Sequence, residues 1–147
     1  MTQAAPGLFD RWLTAASVIF CLQALMWAAI GSFDPFGIWD GLLADAFYDG
    51  VLPPEVVRFR RFVLGPFGAT TAGYFFLVFM IARHPFRARE AWAFRAISGA
   101  VGLWFCVDTT VSLLHGALFN VLLVNIPALV LLATPLIALR AEFRFRA

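Results

Sequence analysis

The stretch WFCVDTTVSLLHGALFNVLLVN, residues 104–125, decides the predicted fold. Apolar residues lie on both sides of His115-Gly116, so that two apolar runs, 96–114 and 117–139, meet with almost no loop between them. A helix that crosses a hydrocarbon core needs about 20 apolar residues, and each run is close to that length. Two spans joined this closely must run antiparallel, and the stretch therefore predicts a tight helical hairpin.

The rest of the chain extends this pattern. It has 147 residues, of which 62% are hydrophobic and 14% charged, whereas a soluble domain carries about 25% charged residues. Two further apolar runs of spanning length lie at 12–30 and 62–82. Small residues four apart, which permit close helix packing, occur in three runs: Ala24 and Ala28, Ala69 and Gly73, Ser98 and Gly102. The predicted fold is an all-α membrane protein, a four-transmembrane-helix bundle that forms one integral membrane domain over residues 1–147.

A short amphipathic surface helix is predicted between the first two spans, over residues 35–49. Asp34 supplies an N-cap and Pro35 the first helical position, and apolar residues then recur with helical spacing. The helix is acidic and a basic segment follows it, with the charged residues Asp40, Asp45, Asp49, Arg58, Arg60 and Arg61. We expect these opposite charges to meet, so that the helix folds back over the outer end of the bundle.

All basic residues are arginines, and their distribution predicts an orientation. Three of the eleven lie in the loop before the second span. The other eight lie on the opposite side of the predicted spans, at positions 11, 83, 87, 89, 95, 140, 144 and 146. The positive-inside rule places that side, with both termini, in the cytoplasm. The net charge of +2 is too small to indicate a nucleic-acid partner, whereas arginines beside a membrane commonly contact anionic lipids.

Every predicted span contributes a polar side chain at a similar depth. Counting 1.5 Å per residue places Gln23, Thr70, Asp108 and Asn125 about 16 to 18 Å from the inner side. The hairpin brings Asp108 level with Asn125 and Ser112 level with Asn120. A stripe on the third span carries Trp104, Asp108, Ser112 and His115. The candidate ligand-binding residues are Asp108, Ser112, Asn125, Asn120, Gln23, Thr70, Trp104 and His115.

Asp108 differs from the other polar residues in this layer. Interhelical hydrogen bonds commonly hold membrane bundles together and contribute about 0.6 kcal/mol each, which is the simpler interpretation of Gln23, Thr70 and Asn120. A charged residue at mid-bilayer costs roughly 3 kcal/mol, and an asparagine would supply hydrogen bonds without the cost of desolvating a carboxylate. Asp108 therefore indicates a ligand or a proton as well as a structural contact.

The sequence contains no known catalytic motif, metal-ligand spacing or glycine-rich phosphate loop. We therefore expect neither a metal nor a cofactor, and the residues argue against an enzyme. Cys21 and Cys106 lie inside predicted spans and are interpreted as small core residues. Trp104 fits core filling as well as ligand contact, and His115 fits a capping role at the surface end of its helix. Trp12 is expected at the membrane interface.

Three stretches resemble a family of small bacterial four-helix integral membrane proteins with no assigned activity: GPFGATTAGYFF (65–76), HPFRAREAWAFRAI (84–97) and residues 104–125. The shared pattern is Trp-Phe-x-x-Asp-x-x-x-Ser followed by Gly, Asn and Asn. The resemblance covers the last three spans and implies the fold and an inner-membrane location, without a chemistry. The span layout is also similar to that of sterol-isomerase-like proteins, but their motif residues do not occur here. Small multidrug exporters carry a glutamate in the first span, where this chain has Gln23.

Three functions are consistent with these features. The leading hypothesis is a membrane bundle whose polar pocket binds or carries an apolar or amphipathic small molecule, such as a lipid, quinone or isoprenoid, with Asp108 as the polar anchor. The second is a structural accessory subunit, in which small-residue faces dock a larger membrane complex. The third is a proton-coupled transporter, acting as a homodimer, in which Asp108 titrates.

Overall fold

The computed structural model describes residues 7–31, 34 and 36–143. Within these residues the chain is all-helical and contains no strand. The helices are α1 (Leu8–Ile30), α2 (Ile38–Phe47), α3 (Pro54–Arg83), α4 (Ala91–Leu114) and α5 (Leu118–Glu142). Four of them, all except α2, are long and apolar enough to cross a membrane. The predicted all-α class, the four long helices and the short helix between the first two are therefore confirmed.

The helix α2 begins later than predicted. It follows Gly37, whose φ of 66° lies in the left-handed region, where glycine carries no steric penalty. Asp34 still serves the helix start, because its Oδ2 accepts a hydrogen bond of 2.8 Å from the backbone N–H of Asp40. Pro35, the predicted first residue, lies outside the described residues. The helix is consequently shorter than the predicted range 35–49.

The helices α1 and α3 approach closely at Gly68. A Cβ atom placed on Gly68 would lie 2.5 Å from the backbone oxygen of Ala24 and 2.6 Å from the backbone nitrogen of Ala28. Ala24 and Ala28 thus lie at a close helix contact, as their spacing predicted, and the residue of α3 that meets them is Gly68. Ala69 is exposed, and a Cβ on Gly73 would meet nothing within 4 Å.

The helix α5 is irregular near its start. Residues Val121–Asn125 form a π-helix, in which the N–H of Ile126 bonds the carbonyl of Val121. Pro127 follows two residues after this segment and cannot donate a hydrogen bond to the carbonyl of Leu123. π-helical turns are rare and often occur at functional sites. This one turns Asn125 inward, where its side chain is fully buried.

The apolar core lies in the half of the bundle that carries the described chain ends. Its fully buried members include Leu13 of α1, Phe86 of the α3–α4 connection, Ile97 of α4 and Leu132 of α5. Few apolar side chains of the opposite half are buried, although that half contains the hairpin turn. The more open half is therefore where the polar residues of α4 and α5 meet.

Candidate binding site between α3 and α4

Asp108, Ser112 and Asn120 form a closed hydrogen-bonded cluster. The Ser112 hydroxyl donates to Asp108 Oδ1 at 3.1 Å. Asn120 Nδ2 donates to the same oxygen at 3.0 Å and to Ser112 Oγ at 2.8 Å. Asp108 and Ser112 are one helical turn apart on α4, and Asn120 reaches them across the hairpin. The tight turn at residues 115–116 thus places all three side chains together.

This cluster orients Asp108 and leaves one carboxylate oxygen for other use. Both donors converge on Oδ1, whereas Oδ2 accepts no hydrogen bond within the described part of the chain. Ser112 is buried and Asp108 is half-buried. The carboxyl group is therefore held at one oxygen and open to a partner at the other.

A groove of about 470 Å³ lies beside Asp108, between α3 and α4. Its lining consists of Tyr74, Ala100, Leu103, Trp104, Val107 and Asp108. The Tyr74 hydroxyl is buried and has no hydrogen-bond partner among the described residues. A buried hydroxyl without a partner is destabilising by about 1 to 3 kcal/mol. The groove thus joins an apolar wall with two polar groups whose hydrogen-bonding capacity is not used.

The predicted polar layer is only partly assembled. Gln23 is exposed on α1, because the neighbouring Ala24 faces α3. Thr70 is also exposed, and its hydroxyl bonds the Pro66 carbonyl of its own helix at 3.0 Å. Their predicted depth does not bring them to Asp108, since depth leaves the direction of a side chain undetermined. These two residues do not belong to the cluster.

The other predicted residues lie near Asp108 in different roles. Asn125 is buried and donates to Thr109 Oγ1 at 3.1 Å rather than approaching Asp108, and its Oδ1 has no partner in the described ranges. Trp104 lines the groove. His115 is exposed, and its Nδ1 lies 2.9 Å from the Val111 carbonyl oxygen at the end of α4. The capping role therefore fits His115 better than a ligand contact does.

Tyr74 and Thr109 also belong to this region, although the sequence pattern did not identify them. Tyr74 lies one turn beyond Thr70 in the second predicted span, where a phenol hydroxyl needs a partner. That requirement was a signal for a polar site, and in the structure Tyr74 lies in the groove beside α4. Thr109 follows Asp108 directly, so it lies on the adjacent face of α4 that meets α5.

The surface helix α2 covers the end of the hairpin. The Trp39 ring packs edge-on against Phe119, with ring centroids 5.0 Å apart, and Asp40 forms an ion pair with Arg60. One of the predicted acid–arginine contacts is thus present. Asp45 and Asp49 are exposed and form no ion pair with arginine among the residues that the structure describes.

The described residues contain no group of three His, Cys, Asp or Glu side chains that could hold a metal ion. Comparisons with protein-family models, with curated proteins and with solved structures found no significant match. The resemblance stays a prediction from the sequence, and the geometry of the site is the basis for a function.

Proposed function

We propose that this chain is a multi-pass protein of the bacterial inner membrane, with both termini in the cytoplasm, that binds an amphipathic small molecule in the groove between α3 and α4. The four long apolar helices support the membrane placement. The arginine distribution supports the orientation. The groove supports the binding of a molecule that is apolar over most of its length.

One observation carries the proposal. Asp108 Oδ2 and the Tyr74 hydroxyl are both without a hydrogen-bond partner among the described residues, and both residues line the same apolar groove. Ligand sites characteristically combine apolar walls with a few polar groups that orient the ligand. In hydrocarbon surroundings, no water is present to satisfy such groups.

The donor and acceptor capacities of these two groups define the ligand class. The phenol of Tyr74 donates, and an ionised carboxylate only accepts. A hydroxyl group satisfies both because it accepts one hydrogen bond and donates another. We therefore favour a hydroxyl-bearing lipid, isoprenoid alcohol or reduced quinone over a molecule whose only polar group is a ketone.

The cluster around Asp108 also explains why an aspartate suits this position. Ser112 and Asn120 together supply two donors to Oδ1, and a carboxyl group has a second oxygen that these donors do not use. An asparagine at 108 would offer one oxygen to these donors but would present an N–H donor to the groove. The carboxylate leaves an acceptor on both sides.

The test is identification of the molecules that remain bound to the protein after purification in mild detergent. Native mass spectrometry and extraction should show a hydroxyl-bearing amphipathic compound. Tyr74→Phe should weaken its retention roughly fivefold, the equivalent of one hydrogen bond of about 1 kcal/mol. Tyr48→Phe is the matched control, because Tyr48 is exposed and lies outside the groove.

A second pair of variants tests the groove itself. Ala100→Phe places a ring in the groove and should abolish retention, whereas Ala96→Phe, on an exposed position of the same helix, should not. Equal amounts of bound compound in all four variants and the parent would refute the site. A reporter fused to the C-terminus tests the orientation separately, and a periplasmic signal would contradict it.

A structural accessory subunit is the second candidate, and a specific observation favours it. Ala69 and Gly73, four residues apart on α3, are both exposed, and small residues at this spacing permit close packing of another helix. Retention of a partner protein that Gly73→Leu abolishes, with no bound small molecule, would favour this function. Proton-coupled transport by a dimer stays a prediction from the sequence.

A further inference from the structure

A second groove, of about 450 Å³, lies between α4 and α5 at the opposite end from the hairpin turn. Its walls include the apolar residues Val101, Leu129, Ala133 and Leu136. Arg95 and Arg140 line the same groove near the chain-end side of the bundle. The groove is thus basic at one end and apolar along its length.

A third polar group lies in this groove between the arginines and the apolar wall. The Ser98 hydroxyl is buried and has no hydrogen-bond partner in the described ranges. It follows Arg95 by three residues, which places it about 4.5 Å further along the helix axis. A hydroxyl donor is therefore present just inside the basic end.

Among the described residues that line the groove, two are arginines and none is acidic. The described lining therefore carries positive charge at the end where Arg95 and Arg140 lie. Glu142, which is close to Arg140 in sequence, bonds Arg89 Nε at 2.7 Å.

We propose that this groove binds an anionic phospholipid of the leaflet that faces the chain ends. The phosphate lies by Arg95 and Arg140, Ser98 donates to an oxygen of the headgroup region, and an acyl chain follows the apolar wall. The inference rests on the proposed membrane placement but is independent of the site at Asp108.

The polarity of the groove favours a lipid over other occupants. From Arg95 to Gly102 the axis of α4 rises about 10 Å, and from Arg140 to Leu129 that of α5 rises about 16 Å. The groove therefore runs along the helix axes, with its basic residues at one end and its apolar wall extending from them. A phospholipid beside spanning helices has the same arrangement of phosphate and acyl chain. Guanidinium groups suit phosphate because they donate paired hydrogen bonds.

The test uses the full-length protein purified in mild detergent and mixed with either phosphatidylglycerol or phosphatidylcholine of identical acyl chains. Native mass spectrometry should show preferential retention of phosphatidylglycerol. Arg140→Gln and Arg95→Gln should each weaken this retention about fivefold. Arg11→Gln is the control, because Arg11 is exposed and lies outside the groove.

A second pair of variants tests the apolar part without changing charge. A Cβ on Gly102 or on Gly99 would meet nothing within 4 Å, so that both positions accept a side chain, but only Gly102 lines the groove. Gly102→Leu should reduce phosphatidylglycerol retention, and Gly99→Leu should not. Equal retention of the two lipids, or equal effects of groove and control variants, would overturn the proposal.

These outcomes are separate from those for the α3–α4 site. Tyr74→Phe should leave phosphatidylglycerol retention unchanged, and Arg140→Gln should leave the hydroxyl-bearing ligand bound. A protein that fractionates outside the membrane would instead contradict the membrane placement on which both sites depend.

Discussion

The indole nitrogen of Trp12 donates a hydrogen bond of 3.0 Å to the carbonyl oxygen of Leu131. Pro135 is four residues beyond Leu131 and has no N–H to donate to that carbonyl. Trp12 therefore supplies the donor that the proline of α5 lacks, and the bond links α1 to α5. The position of Trp12 at the membrane interface stays a prediction from the sequence, and the bond shows that its indole also contacts α5.

Trp12→Phe should lower the free energy of unfolding by about 1 kcal/mol, because it removes this donor and leaves the carbonyl without a partner. Pro135→Ala restores the missing N–H, so the same substitution should cost less in that background. Thermal unfolding in detergent of the two single variants and the double variant measures the difference. An equal cost in both backgrounds would show that Trp12 acts only through packing.

Gly68→Ala should destabilise the protein by roughly 1 to 3 kcal/mol. Its Cβ would overlap backbone atoms of α1, so the two helices must separate. Gly73→Ala is the control on the same helix, and it should be neutral or stabilising by up to about 1 kcal/mol because alanine favours the helix. If both variants unfold at the same temperature, the close approach of α1 and α3 at Gly68 is wrong.

An ion-pair network at Arg89 joins Asp10, near the start of α1, to Glu142, at the end of α5. Arg89 bonds both carboxylate oxygens of Asp10, at 2.7 and 3.0 Å, and also bonds Glu142. Asp10 is 3% exposed. Arg89→Gln should therefore cost about 3 kcal/mol, because it leaves a buried carboxylate without its counter-charge. Glu142→Gln should cost at most about 1 kcal/mol, since the Glu142 side chain is more than half exposed.

The pH dependence of this network follows from Arg89. Its pKa is raised, first by the hydrogen bond to Asp10 and further by Glu142, against the opposing effect of burial. A raised pKa in the folded state means that the contribution is complete below the pKa of the unfolded chain and is lost only as the pH rises through the folded value. We expect no loss of stability from Arg89 deprotonation between neutral and moderately alkaline pH. Unfolding curves across that range, compared with those of Arg89→Gln, measure it.

Substitutions at Asp108 distinguish a binding site from a structural contact. Asp108→Leu should lower the free energy of unfolding by about 1 to 3 kcal/mol, since the Ser112 hydroxyl loses its acceptor and Asn120 loses one of two. Asp108→Asn keeps an acceptor and removes the desolvation cost, so its stability should equal or exceed that of the parent while ligand retention falls. An asparagine variant that is more stable and still retains the ligand would make Asp108 a structural residue.

The sequence alone determined the class of the fold. Four long apolar runs require helices because an apolar segment can satisfy its backbone hydrogen bonds internally only in that form. The hairpin at His115-Gly116 also followed from the sequence, because two apolar runs of spanning length meet there with almost no loop between them. The match of Ser112 with Asn120 also followed from the spacing along two antiparallel helices. The sequence placed Asp108 level with Asn125, whereas Asn120 is the residue of α5 that bonds Asp108 and Asn125 bonds Thr109.

Tertiary structure decided which faces of the helices meet. Residue counting gives the height of a side chain, but its direction depends on which helices approach closely and on local irregularities. Gly68, rather than Ala69, contacts α1, and this contact turns Gln23 outward. The π-helical segment Val121–Asn125 directs Asn125 toward Thr109. Tyr74 joins Asp108 at one groove because the rotation of α3, which its packing against α1 determines, brings the phenol to the side of α4.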